Sequence, residues 1–129
     1  MRLRILLADS REIVRWGLRA LFIKISIVAD FYEVVTEEEL KECLLSHPVD
    51  LVMVHQSLVT DFTALPKGHF VVMTNEPDMS TLLYTYNHGG IGYLCENASA
   101  ELLRITLYLA TKQGERMFIV DPSIVPVPV

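Results

Sequence analysis

The feature that most constrains this chain is a series of short apolar runs with no polar residue inside them. Ile5-Leu6-Leu7-Ala8, Leu51-Val52-Met53-Val54 and Phe70-Val71-Val72-Met73 each hold four consecutive apolar side chains. Four residues are too few for a buried helix. A strand with one wet face would alternate polar and apolar positions instead. Such runs are expected of strands covered on both faces, the condition of a parallel sheet lying between layers of helices.

The segments between the runs carry helical spacing. Val14, Gly17, Leu18 and Leu21 fall at i, i+3, i+4 and i+7 and predict an apolar stripe on a first helix. Ser10, or alternatively Asp9, is placed to cap it. Residues 25–31 read as a second strand. Thr36 with Glu39 three residues on forms a capping box that opens a helix through Leu45, and His47-Pro48 ends it. Residues 49–54 and 70–73 make the third and fourth strands. Residues 56–69 have weak periodicity and a breaker cluster, Pro66-Lys67-Gly68, so a loop with at most a short helix is expected. Residues 79–88 predict a helix stopped by Gly89-Gly90, residues 92–95 a fifth strand, and Ser99 caps a last helix with Leu102, Ile105 and Leu109 along one face. Pro122, Pro126 and Pro128 make residues 121–129 an extended linker or tail.

Alternating strands and helices over one domain-sized chain predict an α/β sandwich around a parallel sheet. Functional groups in such folds gather beyond the carboxyl ends of the strands. Asp9, His55, Thr74 and Glu96 all fall at or just after predicted strand ends and are expected to converge.

Composition narrows the partners. Half of the 129 residues are hydrophobic (51%), so the chain is expected to be compact. A net charge of −5 argues against this domain gripping nucleic acid by itself. No apolar run approaches the roughly 18 residues of a membrane span, and the N-terminus lacks a signal-peptide pattern, so a cytoplasmic chain is expected. Cys43 and Cys95 are read as free thiols. No metal-ligand spacing is present, and no cofactor or metal is expected.

Taken in order, several segments resemble a response-regulator receiver domain of the NarL/FixJ (LuxR-type) subfamily. Ile5 to Asp9 resembles the opening strand with its acidic end, and Val14 to Phe22 the first helix. Val49 to Val54 resembles the strand that bears the phosphoacceptor. Thr74 and Tyr93 stand where the family places its hydroxyl and aromatic switch pair. Gly89 to Leu94 resembles the last turn and strand, and Ser99 to Leu109 followed by Gly114 to Pro122 the final helix and the start of the linker. The match runs over nearly all of residues 3–122. It implies a flavodoxin-like five-stranded parallel sheet with helices on both faces, here with the third helix short or missing. It also implies an atypical receiver domain over residues 1–120 and a Pro-rich linker or tail over 121–129 leading to an effector domain.

The departures from the family concern its chemistry. The resemblance implies an acidic pair after the first strand, an Asp acceptor and a Lys after the fifth strand. This chain has Asp9-Ser10, His55 and Glu96 in those places. Asp9, Ser10, His55, Thr74 and Glu96 therefore form a degenerate phosphorylation pocket with no catalytic residue, and the chain is not expected to be an enzyme. The expected function is that of a phosphorylation-independent receiver in a two-component-type transcriptional regulator, working through dimerisation, a partner regulator or a small ligand. DNA would be reached only through a C-terminal domain. Two alternatives stand beside it: a domain in which His55 accepts a phosphoryl group or binds a metal, and a stand-alone docking adaptor. Trp16 and Tyr108 lie off the predicted core stripes, and the resemblance implies pairing through the first and fifth helices or through the α4-β5-α5 face, to which Tyr84 can belong; Trp16, Tyr84 and Tyr108 are the expected homodimer or partner surface, because exposed aromatics are enriched at interfaces.

Overall fold

The computed structural model describes residues 2–112 and 117–124. Six parallel strands, β1 (Leu3–Ala8), β2 (Val28–Val34), β3 (Leu51–His55), β4 (Phe70–Thr74), β5 (Gly92–Cys95) and β6 (Ile119–Val120), lie in the order β2-β1-β3-β4-β5-β6. Four α-helices cover them: α1 (Glu12–Phe22), α2 (Glu37–Ser46), α3 (Met79–Asn87) and α4 (Ala100–Leu109).

The apolar runs are buried on both faces because each strand feeds two cores in alternation. Leu3, Ile5 and Leu7 join Met53, Met73, Leu103 and Leu107 on the α1–α4 side. Leu6 and Ala8 join Leu40, Val52, Val54, Val72 and Tyr93 on the side of α2 and α3. Between β3 and β4 there is no α-helix. Two single 3-10 turns, Gln56–Leu58 and Phe62–Ala64, fill the connection. Glu37 at the start of α2 pins it by accepting hydrogen bonds from the Thr60 amide (2.8 Å), the Thr60 hydroxyl (2.6 Å) and the Asp61 amide (3.2 Å).

Several sequence expectations are corrected. First, the sheet has six strands, not five. Ile119–Val120 pairs in parallel with Gly92 and Tyr93, which covers the backbone edge that β5 would otherwise leave open. Residues 121–124, expected to begin an extended tail, instead form a turn around the buried Asp121, whose carboxylate accepts hydrogen bonds from the amides of Cys95 (3.3 Å) and Ser123 (3.0 Å). The tail expected over 125–129 and the linker residues 114–116 lie outside the described residues.

Second, β2 starts at Val28 rather than Ile25, because Ile25 belongs to a turn that accepts from the Val28 amide (3.0 Å). Third, the cap of α1 is Arg11, with no side-chain cap from Ser10 or Asp9, and Gly17 is exposed instead of facing the core. Fourth, the buried stripe of α4 is Leu103, Thr106 and Leu107, continued by its C-cap Ala110, and Ile105 is exposed. Thr106 can sit inside because its hydroxyl donates to the Leu102 carbonyl (2.8 Å). The α2 capping box forms as expected at Thr36 Oγ1, which accepts from the Glu39 amide (3.1 Å), while the Glu39 carboxylate reaches back to the Val35 amide (2.9 Å).

Candidate functional site

Strand order changes direction at β1, which has β2 on one side and β3 on the other. The crevice beyond the carboxyl ends of the strands at such a switch point is where open α/β sheets place their sites. Asp9 follows β1, His55 ends β3, Thr74 ends β4 and Glu96 follows β5; Asp9, His55 and Glu96 gather in one crevice, and Thr74 adjoins it through its carbonyl, which accepts from the Glu96 amide (2.9 Å). Ser10 does not join them: it is exposed and takes part in none of the site's hydrogen bonds.

The centre of the site is a residue that the sequence reading did not select. Arg11 lies between the acids. Its Nε and Nη2 donate to the two carboxylate oxygens of Asp9 (3.0 and 2.8 Å), its own amide donates to Asp9 Oδ1 (2.9 Å), and its Nη1 pairs with Glu96 Oε1. Burial pushes the Asp9 carboxyl up, but the side-chain and backbone hydrogen bonds from Arg11 outweigh it and hold Asp9 below its ordinary value. The bonds to Asp9 and Glu96 raise the Arg11 guanidinium above its ordinary value. Two carboxylates at the strand ends are thus bridged by a permanent organic cation.

Arg15 and Arg19 extend this pattern along α1. Arg15 donates to the Asp9 carbonyl (2.7 Å) and to Glu33 (3.1 Å), and Arg19 donates to the other oxygen of Glu33 (3.1 Å). Three arginines therefore fasten α1 to the ends of β1, β2 and β5.

His55 is buried and fully engaged. The Ser57 amide donates to Nδ1 (3.2 Å), so Nδ1 is an acceptor and Nε2 carries the proton toward Asn75 Oδ1 (3.2 Å). The Ser57 hydroxyl also lies 2.7 Å from Nδ1. Glu96 Oε1 is 4.0 Å from Nε2, beyond hydrogen-bond range. The imidazole thereby caps the 3-10 turn that follows β3, and neither ring nitrogen points into open space.

Tyr93 and Thr74 are also engaged. Tyr93 is fully buried; its hydroxyl donates to Gln56 Oε1 (3.0 Å) and accepts from the Asp78 amide (3.2 Å). Burial pushes the phenol above its ordinary value despite the hydrogen bonds with Asp78 and Thr74. Thr74 is buried, and its hydroxyl accepts from the Glu76 amide (3.0 Å). Among the described residues, no three His, Cys, Asp or Glu side chains are grouped so as to hold a metal ion, and no helix is long and apolar enough to cross a membrane.

The expected surface aromatics are exposed. Trp16 lies on α1, Tyr84 on α3 and Tyr108 on α4. They do not form one patch on one element. Tyr84 stacks on Phe62 of the second 3-10 turn, with ring centroids 5.9 Å apart. Arg11, Ser57, Asn75 and Gln56 were missed from sequence. Arg11 had a local signal, since a long cation two residues after a strand-end Asp can fold back on it.

Neither a family model nor a curated protein matches the sequence. Solved structures do match the fold. A LuxR-family two-component response regulator from Aurantimonas sp. SI85-9A1 superposes with a TM-score of 0.76 at 21% identity, covering 96% of this chain and 93% of that one. The isolated receiver domain of RcsB from Salmonella enterica serovar Typhimurium, solved with a phosphomimetic, gives 0.75 at 15% identity and 96% coverage of both chains. The receiver domain of a NarL regulator from Mycobacterium tuberculosis gives 0.71 at 14% identity, covering 87% of this chain and 98% of that one. The fold is the flavodoxin-like fold of response-regulator receiver domains. At these identities the likeness concerns architecture alone.

Proposed function

We propose that this chain is a receiver-type regulatory domain that signals without an aspartyl phosphate, through contacts with a second copy, a regulator protein or a small ligand. The observation that carries the reading is the Arg11 bridge between Asp9 and Glu96, beside a His55 whose two ring nitrogens are engaged. Phosphorylation of an acid by a small donor needs a hard cation held by free carboxylate oxygens and a nucleophile open to attack. Here the carboxylates already have a cation, and an imidazole stands where the acceptor would be. Glu96 would repel an incoming phosphate instead of pairing with it.

On this reading the domain contributes surfaces rather than chemistry. Trp16 on α1 and Tyr108 on α4 are the candidate dimer contacts, and any DNA contact belongs to a C-terminal domain in a NarL/FixJ-type regulator working in the cytoplasm. The test is incubation with acetyl phosphate or phosphoramidate and Mg²⁺, followed by intact-mass measurement. No mass gain is expected. A stoichiometric gain of one phosphoryl group that disappears in His55→Ala would overturn the reading in favour of a phosphohistidine domain.

A further inference from the structure

Helix α1 is apolar on two opposite sides. Leu18 and Leu21 pack against the core on the sheet side, and Phe22 lies within it. At about 100° per residue, Ile13, Trp16, Ala20 and Ile23 then fall together on the side facing away from the sheet. All four are exposed, and Ile13, Trp16 and Ile23 are each more than half exposed. Ile23 continues the stripe because, as the C-cap, it keeps helical dihedrals (φ −61°, ψ −22°). Glu12 and Arg19 border the stripe on one flank, and Gly17 and Lys24 on the other.

We propose that this face is the contact with a second copy of the chain, α1 lying antiparallel on the partner's α1 in a short two-helix seam. The pairing rests on the reading that the domain works through surfaces, and it assigns the contact to α1 alone, with no part for α4.

Spacing and size point to a second copy. The four residues are separated by steps of 3, 4 and 3, the spacing of a two-helix seam, and the series reads the same from either end. A two-fold axis at the level of Leu18 therefore lays the stripe on itself, as an interface between identical surfaces requires. That axis sets Ile13 against the partner's Ile23, and Trp16 against the partner's Ala20. Each indole thus meets the smallest side chain of the stripe. Gly17, where a Cβ would meet nothing within 4 Å, leaves room for close approach beside the axis.

The same match sets the direction. A parallel pair would stack Trp16 on Trp16 and Ala20 on Ala20, a bulge next to a gap, which close packing disfavours. Opposed helix dipoles also favour the antiparallel pair. The flanking charges do not choose: a parallel pair opposes Arg19 to the partner's Lys24, and an antiparallel pair opposes the two Arg19 side chains with a Glu12 beyond each. Four side chains from each copy cover less than the roughly 800 Å² per partner of a standard interface, so the dissociation constant should be on the order of 10–100 µM.

Sedimentation equilibrium of the full chain up to about 1 mM should show a monomer–dimer equilibrium. Trp16→Ala should weaken it about 5- to 150-fold. Adding Ala20→Trp to Trp16→Ala should restore it to within about threefold of the parent, since the indole then enters the same layer from the other helix. Tyr108→Ala should leave it within about twofold. All three positions are exposed, so these variants should keep the fold. Direction is read by mixing ¹⁵N-labelled parent with an unlabelled copy that carries a spin label at Glu12→Cys on a Cys43→Ala, Cys95→Ser background. Broadening between copies should be strongest at the amides of Ile23 and Lys24.

A chain that stays monomeric, no loss in Trp16→Ala, or no recovery in the double variant would each overturn the proposal. So would a loss in Tyr108→Ala as large as that in Trp16→Ala, or broadening strongest at Glu12 and Ile13. The phosphodonor measurement reports separately. A mass gain there would overturn the phosphate-free reading, whereas failure of the seam without a mass gain would remove only the α1 contact.

Discussion

Removing the Arg11 side chain is the most direct perturbation of the site. In Arg11→Ala the helix loses no side-chain cap, since Arg11 provides none, so the effect reports the ion triad. Asp9 keeps only 6% of its side chain exposed and would be left with the residue-11 amide but no cation, while Glu96 at 25% would recover water. Breaking a fully buried pair costs about 3–5 kcal/mol, and an exposed pair is worth less than about 1. Arg11 is 36% exposed at the solvent end and its partner is closed off, so the loss should lie between these, at about 2–3 kcal/mol. For a domain of this length that lowers Tm by about 6–12 °C.

The sign with pH follows from Asp9. Its folded-state value lies below the ordinary carboxylate value, so in the parent protein its contribution is complete above that ordinary value and is lost as pH falls through the folded-state value. In Arg11→Ala the guanidinium is gone and only the residue-11 amide still opposes burial, so the Asp9 value rises and falling pH relieves the variant before it harms the parent. The gap between the two should therefore shrink from pH 7 to pH 4. Urea unfolding at both pH values measures it, and Asp9→Asn on the Arg11→Ala background should recover part of the loss. A variant within about 0.5 kcal/mol of the parent at pH 7, or a gap unchanged at pH 4, would refute the argument.

Three further outcomes are expected. Tyr93→Phe leaves Gln56 and the Asp78 amide without the phenol and should cost about 1–2 kcal/mol by urea unfolding, with faster amide exchange at Asp78. Gly90→Ala would place a Cβ 2.6 Å from Thr85 Cγ2 and 2.9 Å from the Thr85 carbonyl, an overpacking that should lower stability by about 1–3 kcal/mol in thermal unfolding. If α1 carries the dimer contact, Trp16→Ala should weaken self-association by about 1–3 kcal/mol in sedimentation equilibrium, and a parent protein that is monomeric at high concentration would remove that surface from consideration.

The fold was largely legible because two-sided burial leaves an unmistakable pattern. A run such as Phe70 to Met73 has few solutions other than a central parallel strand. The errors have physical causes. On α4 helical spacing points to Ile105 as inward and to Thr106 as polar, yet the Thr106 hydroxyl is satisfied within the helix and its methyl is free to pack. Thr85 in α3 is buried in the same way, donating to the Thr81 carbonyl (2.7 Å). The sixth strand is only two residues long, and its worth lies in closing an edge that a linear reading does not display. At the site, positions at strand ends predicted the gathering of Asp9, His55, Thr74 and Glu96, because topology fixes strand ends. It did not predict Arg11, whose place depends on a side-chain rotamer rather than on the course of the backbone.

The charge change at the site is better described as a relocation than as a deletion. Where the resemblance implies a cation after the fifth strand, this chain has Glu96, and the cation arises from the start of α1. The result ties the ends of β1 and β5 together through the Arg11 side chain. A guanidinium held above its already high ordinary value does not lose its charge in the physiological pH range. The triad therefore cannot be opened by titrating Arg11; it opens when acid protonates its carboxylates, when another cation competes for Glu96 or when α1 shifts. Arg15 and Arg19 anchor α1 on the β2 side through Glu33, whereas its inward side chains Val14, Leu18 and Leu21 stay only half-buried. A shift of α1 must then pivot about the Glu33 flank, and Trp16, exposed on the same helix, would move with it.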